Sequence, residues 1–235
     1  PAPAPRLGLV APHAGYMYSG GVAGKTFRLA RIPPLVVILA PNHTGRGARV
    51  SVLAARALRI PGRDVPVSSE LSQRILREVP GATLDVRAHE REHAAEVEVP
   101  FLVALRPDVE ILPIVLGGLG GDETVAVGRG LARALAGLDV LVVASSDMSH
   151  YLPDAMARAR DKLALEPLLA LDPEGLYRTV EDNDISMCGI LPATAMLAYA
   201  RENGAARAEL AAYATSGDAS GDYSAVVGYA GVLVS

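Results

Sequence analysis

Short apolar runs alternate along the chain with amphipathic stretches of helical periodicity. Four runs are apolar on both faces and predict buried strands at 6–11, 34–40, 109–117 and 139–146. The amphipathic stretches predict helices at about 20–31, 68–79, 89–105, 122–136, 153–170 and 190–203. Two further strand-like runs, 209–215 and 222–234, flank the turn "TSGDASGD". This alternation predicts an α/β fold with a largely parallel central sheet flanked by helices.

Length and charge limit the number of domains and the kinds of binding surface that are expected. The 235 residues contain no repeat, low-complexity tract or linker, so a single domain spanning 1–235 is expected. A net charge of −4 without a basic stripe argues against a nucleic-acid or anionic-membrane surface. The longest apolar runs are too short to cross a bilayer. The opening segment "PAPAPRLG" has no apolar stretch typical of a secretory signal, so a cytoplasmic protein is expected.

Side chains that bind metals follow three of the predicted strands. His13 follows the first strand, His43 the second, and Asp147 with His150 the fourth. Ligand sites in such sheets gather beyond the carboxyl ends of the strands, so these side chains are expected to converge. The single cysteine, Cys188, precedes a predicted helix, whose N-terminus would lower the pKa of a thiol. The alternative for a free cysteine is a buried structural thiol.

Two motif matches are weaker. The segment "HEREH" (89–93) matches the His-Glu-x-x-His pattern of zinc proteases, but no third ligand is positioned by the sequence. The alternative, in which only His93 and Glu96 of this region face inward, fits the apolar residues that follow. The segment "GGVAGKT" (20–26) fails as a phosphate-binding loop, because three residues separate its glycines where four are needed.

The ordered motifs of the chain resemble those of the Memo family, also called AmmeMemoRadiSam system protein B. The matching stretches are "PHAGYMYSG" (12–20), "PNHTG" (41–45), "EHAAEVEVPFL" (92–102), "SSDMSHY" (145–151), "CGILP" (188–192) and "SGDASGDYSAVVGYA" (216–230). One departure is Ala94, where the family is expected to have serine. The resemblance implies a fold similar to the catalytic subunit of class III extradiol dioxygenases.

The same resemblance implies roles for individual residues. His13 and His43 match the two iron-binding histidines of those dioxygenases, and Cys188 stands where their carboxylate ligand would be. His150 resembles the acid–base histidine, with Asp147 beside it. His93 and Glu96 resemble residues that line the same pocket and support the ligands. Independently of the resemblance, Tyr16, Tyr18 and Tyr151 flank these motifs in the sequence and are expected to line the pocket.

The implied cofactor is a divalent or redox metal ion. Fe(II) is expected from the dioxygenase resemblance, whereas a thiolate ligand also suits copper or zinc. The implied partners are an unknown small-molecule substrate and, from the family name, a radical-SAM protein and an AMMECR1-like protein. Three hypotheses follow: a metal-dependent, dioxygenase-like oxidoreductase, a non-catalytic scaffold that binds a ligand or peptide in the same cleft, and hydrolysis by zinc-bound water.

Overall fold

Eleven strands and eight helices make up residues 2–235, the part of the chain that the computed structural model describes. The strands are β1 (Gly8–Ala11), β2 (Leu35–Pro41), β3 (Val50–Val52), β4 (Ala57–Ile60), β5 (Arg63–Pro66), β6 (Ala82–Leu84), β7 (Glu110–Leu116), β8 (Val140–Ser145), β9 (His150–Leu152), β10 (Ala208–Thr215) and β11 (Val226–Val234). The helices are α1 (Tyr16–Arg28), α2 (Ser69–Glu78), α3 (Val99–Leu105), α4 (Gly121–Ala134), α5 (Asp154–Leu169), α6 (Pro173–Asp182), α7 (Ile190–Glu202) and α8 (Ser216–Ser220).

The central sheet has nine strands and is mixed. Its order is β10-β11-β1-β8-β2-β7-β3-β6, with β9 also paired to β11. The four middle strands, β1, β8, β2 and β7, are parallel to one another. Strands β11, β10 and β9 add antiparallel pairs on one side, and β3 adds one on the other. The expected α/β single-domain fold is confirmed, with a parallel centre, antiparallel pairs on both sides of it and one further parallel pair, β3 with β6, at one edge.

The middle strands form the core because helices cover them. All residues of β1 and β8 are buried, as are all but the first residues of β2 and β7. Helix α7 packs on β1, β8 and β2, and α4 packs on α7, while α1 packs on β10, β11 and β1. This burial on both faces is the reason why these strands read as continuous apolar runs. Among residues 2–235, no helix is both long and apolar enough to cross a membrane.

The predicted helix at 89–105 is wrong in its first half. Residues 89–95 form turns, Glu96–Glu98 form a single 3-10 turn, and only Val99–Leu105 is α-helical. One cause is the buried carboxylate of Glu92, which accepts a hydrogen bond from the amide of Ala94 and so competes with a helical pattern. The helix begins with Pro100 in its first turn, where the missing N–H costs nothing.

Candidate metal centre

His13 lies just beyond the end of β1, beside the end of β8. Residue Ala11 pairs with Ser145 across the two parallel strands, and the Nδ1 atom of His13 is 2.8 Å from the hydroxyl of Ser145. The amide of His13 donates to the carboxylate of Asp147 at 2.9 Å. Burial, together with the imidazoles of His43 and His93, lowers the pKa of His13 to about 3. The ring is therefore a neutral imidazole at neutral pH, the form that binds a metal.

His43 follows β2, the other strand that neighbours β8. Its Nδ1 atom is 2.9 Å from one oxygen of Glu92, and its amide donates to the other oxygen at 2.7 Å. The hydrogen bond with Glu92 raises the pKa of His43, against a smaller opposing effect of burial. Burial alone would raise the pKa of Glu92, but the donors from His43 and Ala94 lower it to about 2. Glu92 is thus ionised and fixes the orientation of the His43 ring.

Cys188 reaches the same place from the segment before α7. Gly189 follows it, and a Cβ there would lie 2.5 Å from the carbonyl oxygen of Ser145, so only glycine allows this close approach to β8. The Sγ atom lies 3.4 Å from Nε2 of His13 and accepts a hydrogen bond from the amide of Asp147 at 3.3 Å. Burial and the Asp147 carboxylate raise the pKa of this thiol. The expected lowering of its pKa by the helix N-terminus is therefore wrong for the metal-free protein.

The donor set fits a transition metal. One ligand atom each from His13, His43 and Cys188 lie within 4.8 Å of one another. Around a four-coordinate metal with zinc-like bond lengths, neighbouring nitrogen and sulfur donors are about 3.5 Å apart, so the 3.4 Å between Sγ and Nε2 already matches such an arrangement. Two imidazoles and one thiol form a borderline-soft set, which suits Zn(II), Cu or thiolate-ligated iron.

A second group of potential ligands shares His43. It comprises His43, Glu92 and His93, whose ligand atoms also lie within 4.8 Å of one another. Both oxygens of Glu92, however, are occupied by N–H donors of His43 and Ala94, so a metal there would have to displace them. We therefore interpret Glu92 as the support of the His43 ring, a common partner of metal-bound histidine.

His93 completes a triangle of imidazole rings. Its ring centroid is 5.4 Å from that of His13 and 5.3 Å from that of His43, and it stacks on His43 at 18°. Its side chain is 54% exposed, and its Nδ1 atom lies 3.7 Å from Glu92, too far for a hydrogen bond. His93 therefore lies beside the other two rings on the exposed side of the cluster.

Asp147, in the loop after β8, and His150, the first residue of β9, border the cluster. Burial raises the pKa of Asp147, although the amide of His13 and the His150 ring oppose this. The Nδ1 atom of His150 is 2.8 Å from the carbonyl oxygen of Ser186. Since a carbonyl only accepts, Nδ1 carries the hydrogen and Nε2 of the neutral ring is bare. Tyr151, the next residue, adopts a φ of 59°, a strained backbone conformation for a tyrosine.

The remaining predicted pocket residues are on the surface nearby. Tyr16 is 52% exposed, and its hydroxyl donates to the carbonyl of Val97 at 3.1 Å. Tyr18 is 38% exposed. Glu96 is exposed at the start of the 3-10 turn. The structure brings His13, His43, His93 and Cys188 together, whereas Glu96 is exposed and belongs to neither group of potential metal ligands.

Three residues that the sequence analysis did not single out support the cluster: Glu92, Glu98 and Ser145. All three are buried. The two glutamates lie in the matching "EHAAEVEVPFL" stretch, but nothing in its charge pattern separates them from the exposed Glu96. The zinc-protease arrangement is not formed, because His89 lies in a turn with its Nε2 atom 3.1 Å from the carbonyl of Ser51.

Comparison with known proteins gives consistent matches. The model of the family described as Memo-like protein matches residues 3–233. A MEMO1 family protein of Methanothermobacter thermautotrophicus is 40% identical over 228 residues, covering 95% of this chain and 82% of the relative. One from Aquifex aeolicus is 40% identical over 226 residues, covering 96% of this chain and 84% of the relative. An uncharacterised Escherichia coli K12 protein of known structure shares the fold, with a TM-score of 0.66 at 18% identity over 95% of this chain and 98% of that one.

Proposed function

This chain belongs to the Memo family, and we propose that it binds one transition metal ion through His13, His43 and Cys188 for oxidoreductase chemistry on a small molecule. Fe(II) is the metal we expect, with copper and zinc as alternatives that the thiol also suits. The proposed activity is dioxygenase-like, as the resemblance to class III extradiol enzymes implies.

The observation that carries this proposal is the convergence of three ligand atoms from segments far apart in the chain. His13 and His43 follow β1 and β2, which both pair with β8, and Cys188 comes from the start of α7. A purely structural role would not require the ring nitrogens of two histidines and the only thiol sulfur of the chain to lie within 4.8 Å of one another. The side chains of His43 and His93 are 35% and 54% exposed, so one side of the cluster is open to a substrate.

Each nearby side chain has a distinct task in this proposal. Bound at this site, the metal would supply Lewis acidity and, if iron or copper, electron transfer. Glu92 holds His43, and Ser145 holds His13, so that both rings present a nitrogen to the cluster. His150, with its bare Nε2 atom, is suited to accept a proton from a substrate hydroxyl. Asp147 holds the backbone of His13 in place.

Metal content tests the proposal directly. We expect protein purified anaerobically without chelators, then loaded with Fe(II), Zn(II) or Co(II), to bind about one equivalent by elemental analysis. His13→Ala and Cys188→Ser should lose most of this content, whereas His89→Ala, a histidine outside the cluster, should keep it. With Co(II), the thiolate-to-metal absorption band should disappear in Cys188→Ser. Content that is the same in His13→Ala and the parent protein would refute the site.

The alternative is a scaffold that binds a ligand without reacting with it. The exposed rings of Tyr16, Tyr18 and Tyr151 near the cluster favour this second function, because such rings are enriched at recognition surfaces.

Oxygen uptake distinguishes the oxidoreductase from the scaffold. If the Fe(II)-loaded protein consumes dioxygen with catechols or small phenols, and His150→Gln slows this about a hundredfold, the oxidoreductase function is supported. Binding of such phenols without oxygen uptake would support the scaffold.

A further inference from the structure

Glu98 is a buried acid with an incomplete set of hydrogen bonds. It ends the 3-10 turn and is 0% exposed. Its Oε1 atom lies 2.8 Å from the hydroxyl of Ser145, and its Oε2 atom has no partner among the described residues. If this carboxylate were ionised, a full negative charge would lie in the core with only one hydrogen-bond partner, which would destabilise the fold.

The hydroxyl of Ser145 has three polar neighbours at equal distance. The carbonyl oxygen of Ala94, the Oε1 atom of Glu98 and the Nδ1 atom of His13 each lie 2.8 Å from Oγ. A serine hydroxyl donates one hydrogen bond and accepts two. The Ala94 carbonyl can only accept, so it must receive the single hydrogen of Ser145. The other two neighbours must then donate.

We infer that Glu98 is held as a neutral carboxylic acid that donates to Ser145, and that Ser145 is the positioning residue that keeps His13 in its Nδ1–H tautomer. In that tautomer the Nε2 atom of His13 is bare and lies 3.4 Å from Sγ of Cys188. The inference rests on the proposed function only in assigning this Nε2 atom to a metal. The same hydroxyl ties Ala94, and with it the segment of Glu92 and His93, to the end of β8.

Other arrangements of the single hydrogen are worse. If Glu98 were ionised, Ser145 would donate to it, and two oxygen lone pairs would face each other across the 2.8 Å to the Ala94 carbonyl. If His13 carried its hydrogen on Nε2, the Ser145 hydrogen would turn to Nδ1 and the same carbonyl would again lose its donor. Burial, with the nearby carboxylate of Asp147, also raises the pKa of Glu98 well above its usual range.

Infrared spectroscopy of the metal-free protein tests the state of Glu98. At neutral pH we expect a carbonyl-stretching band of a protonated carboxylic acid that is absent in Glu98→Gln. The band should move to higher frequency in Ser145→Ala, because the hydrogen bond from the acid is lost. Glu123→Gln, which removes an exposed acid paired with Arg49, should leave the band unchanged. The inference about Glu98 is overturned if Glu98→Gln removes only carboxylate bands.

Nuclear magnetic resonance of the same metal-free protein tests the tautomer. Long-range proton–nitrogen spectra of protein labelled at its five histidines should show His13 with its hydrogen on Nδ1. This should persist in Glu98→Gln, whose amide also donates to Ser145. In Ser145→Ala a second tautomer should appear. The matched control is Ser51→Ala. Ser51 is another fully buried strand serine, and its hydroxyl donates to the backbone carbonyl of Asp85. A parent protein with the hydrogen on Nε2 would refute the inference without any variant.

Metal affinity then links the two proposals. We expect Ser145→Ala to weaken Zn(II) binding by about ten- to a hundredfold, the usual effect of removing the partner of a metal-bound histidine. Glu98→Gln and Ser51→Ala should stay within about twofold. If the parent protein binds no metal, the proposed function fails while the infrared and tautomer results still decide the present inference. Unchanged affinity in Ser145→Ala, with the tautomer altered, would remove the positioning role.

Discussion

Glu92 and Glu98, six residues apart in one segment, differ in their protonation state. Glu92 receives three N–H donors, from the His43 ring and from the amides of His43 and Ala94, and its pKa falls to about 2. Glu98 has one hydroxyl neighbour and an unpartnered oxygen, and its pKa rises. The number of donors aimed at each carboxylate decides the difference, because both side chains are buried. Glu92 supports the His43 ring as an anion, and Glu98 donates a hydrogen bond to the Ser145 hydroxyl as a neutral acid.

At this scale we predict a change in the pH dependence of stability for Glu98→Gln. A raised folded pKa means that stability is complete below the unfolded pKa, near 4.5, and is lost as pH rises through the folded value. The parent protein should therefore lose stability towards alkaline pH more steeply than Glu98→Gln, and the two should agree near pH 4. Urea unfolding of both proteins at several pH values measures this. Parallel curves would contradict this, because they would show that folding does not raise the pKa of Glu98.

Helices α4 and α7 depend on a close approach that only glycine permits. A Cβ on Gly128 would lie 2.4 Å from the carbonyl oxygen of Ala195 and 2.5 Å from the Cβ of Ala198. Helix α7 also packs on β1, β8 and β2, and it begins two residues after Cys188. The helix pair thus links core packing to the geometry of the site.

We predict opposite effects for two glycine-to-alanine changes in helices. Gly128→Ala should destabilise the protein by about 1–3 kcal/mol or more, since the added methyl group meets backbone atoms. Gly21→Ala, at an exposed position of α1 with nothing within 4 Å of its added Cβ, should stabilise it by about 0.5–1 kcal/mol. Urea unfolding measures both. A Gly128→Ala protein as stable as the parent would contradict the close packing.

A buried carboxylate also joins α5 to Ser149, the residue before His150. Asp161 accepts the amide of Ser149 at 2.8 Å and the hydroxyl of Tyr213, on β10, at 2.6 Å. Tyr213→Phe leaves this carboxylate short of one donor, so it should cost about 1–3 kcal/mol. The control is Tyr199→Phe, a buried tyrosine whose hydroxyl makes no hydrogen bond within residues 2–235, which should be nearly neutral. Equal unfolding free energies for the two variants would show that the Asp161 contact adds nothing.

On the scale of the whole molecule, the sheet order brings the ligands together. β1 and β2 are separated along the chain by a helix but lie on either side of β8, so the loops after them meet at one edge. Cys188, 145 residues after His43, is delivered by the segment that leads into α7. A metal bound by all three would connect parts of the chain that separate completely on unfolding, so its binding energy would add to the stability of the fold.

We therefore predict that metal raises the unfolding temperature. At a free Zn(II) concentration a thousandfold above the dissociation constant, the gain in unfolding free energy should be about 4 kcal/mol. A chelator should reverse the shift. Cys188→Ser should reduce it, and His89→Ala should retain it in full. Calorimetry with and without metal measures the shift, and an equal response from Cys188→Ser would contradict ligation by the thiol.

The sequence by itself determined the middle of the fold. The runs at 6–11, 34–40, 109–117 and 139–146 are strands within a few residues, because a strand buried on both faces needs an uninterrupted apolar run. The positions of His13, His43 and Asp147 after these strands also follow from sequence, since the end of an apolar run is visible locally. Their convergence followed from the rule that parallel strands end at one edge of a sheet.

Only the tertiary structure decided which acids face the cluster and in which state. The stretch "EHAAEVEVPFL" contains Glu92, Glu96 and Glu98. Glu96 is predicted to face inward, but it is exposed, and the buried acids are Glu92 and Glu98. That choice depends on the path of an irregular segment. Hydrogen bonds from His43 to Glu92 and from the hydroxyl of Ser145 to Ala94 fix this path, and both donors are far away in the chain. Hydrophobic periodicity specifies regular elements, but it carries no information about turns whose conformation is set by long-range hydrogen bonds.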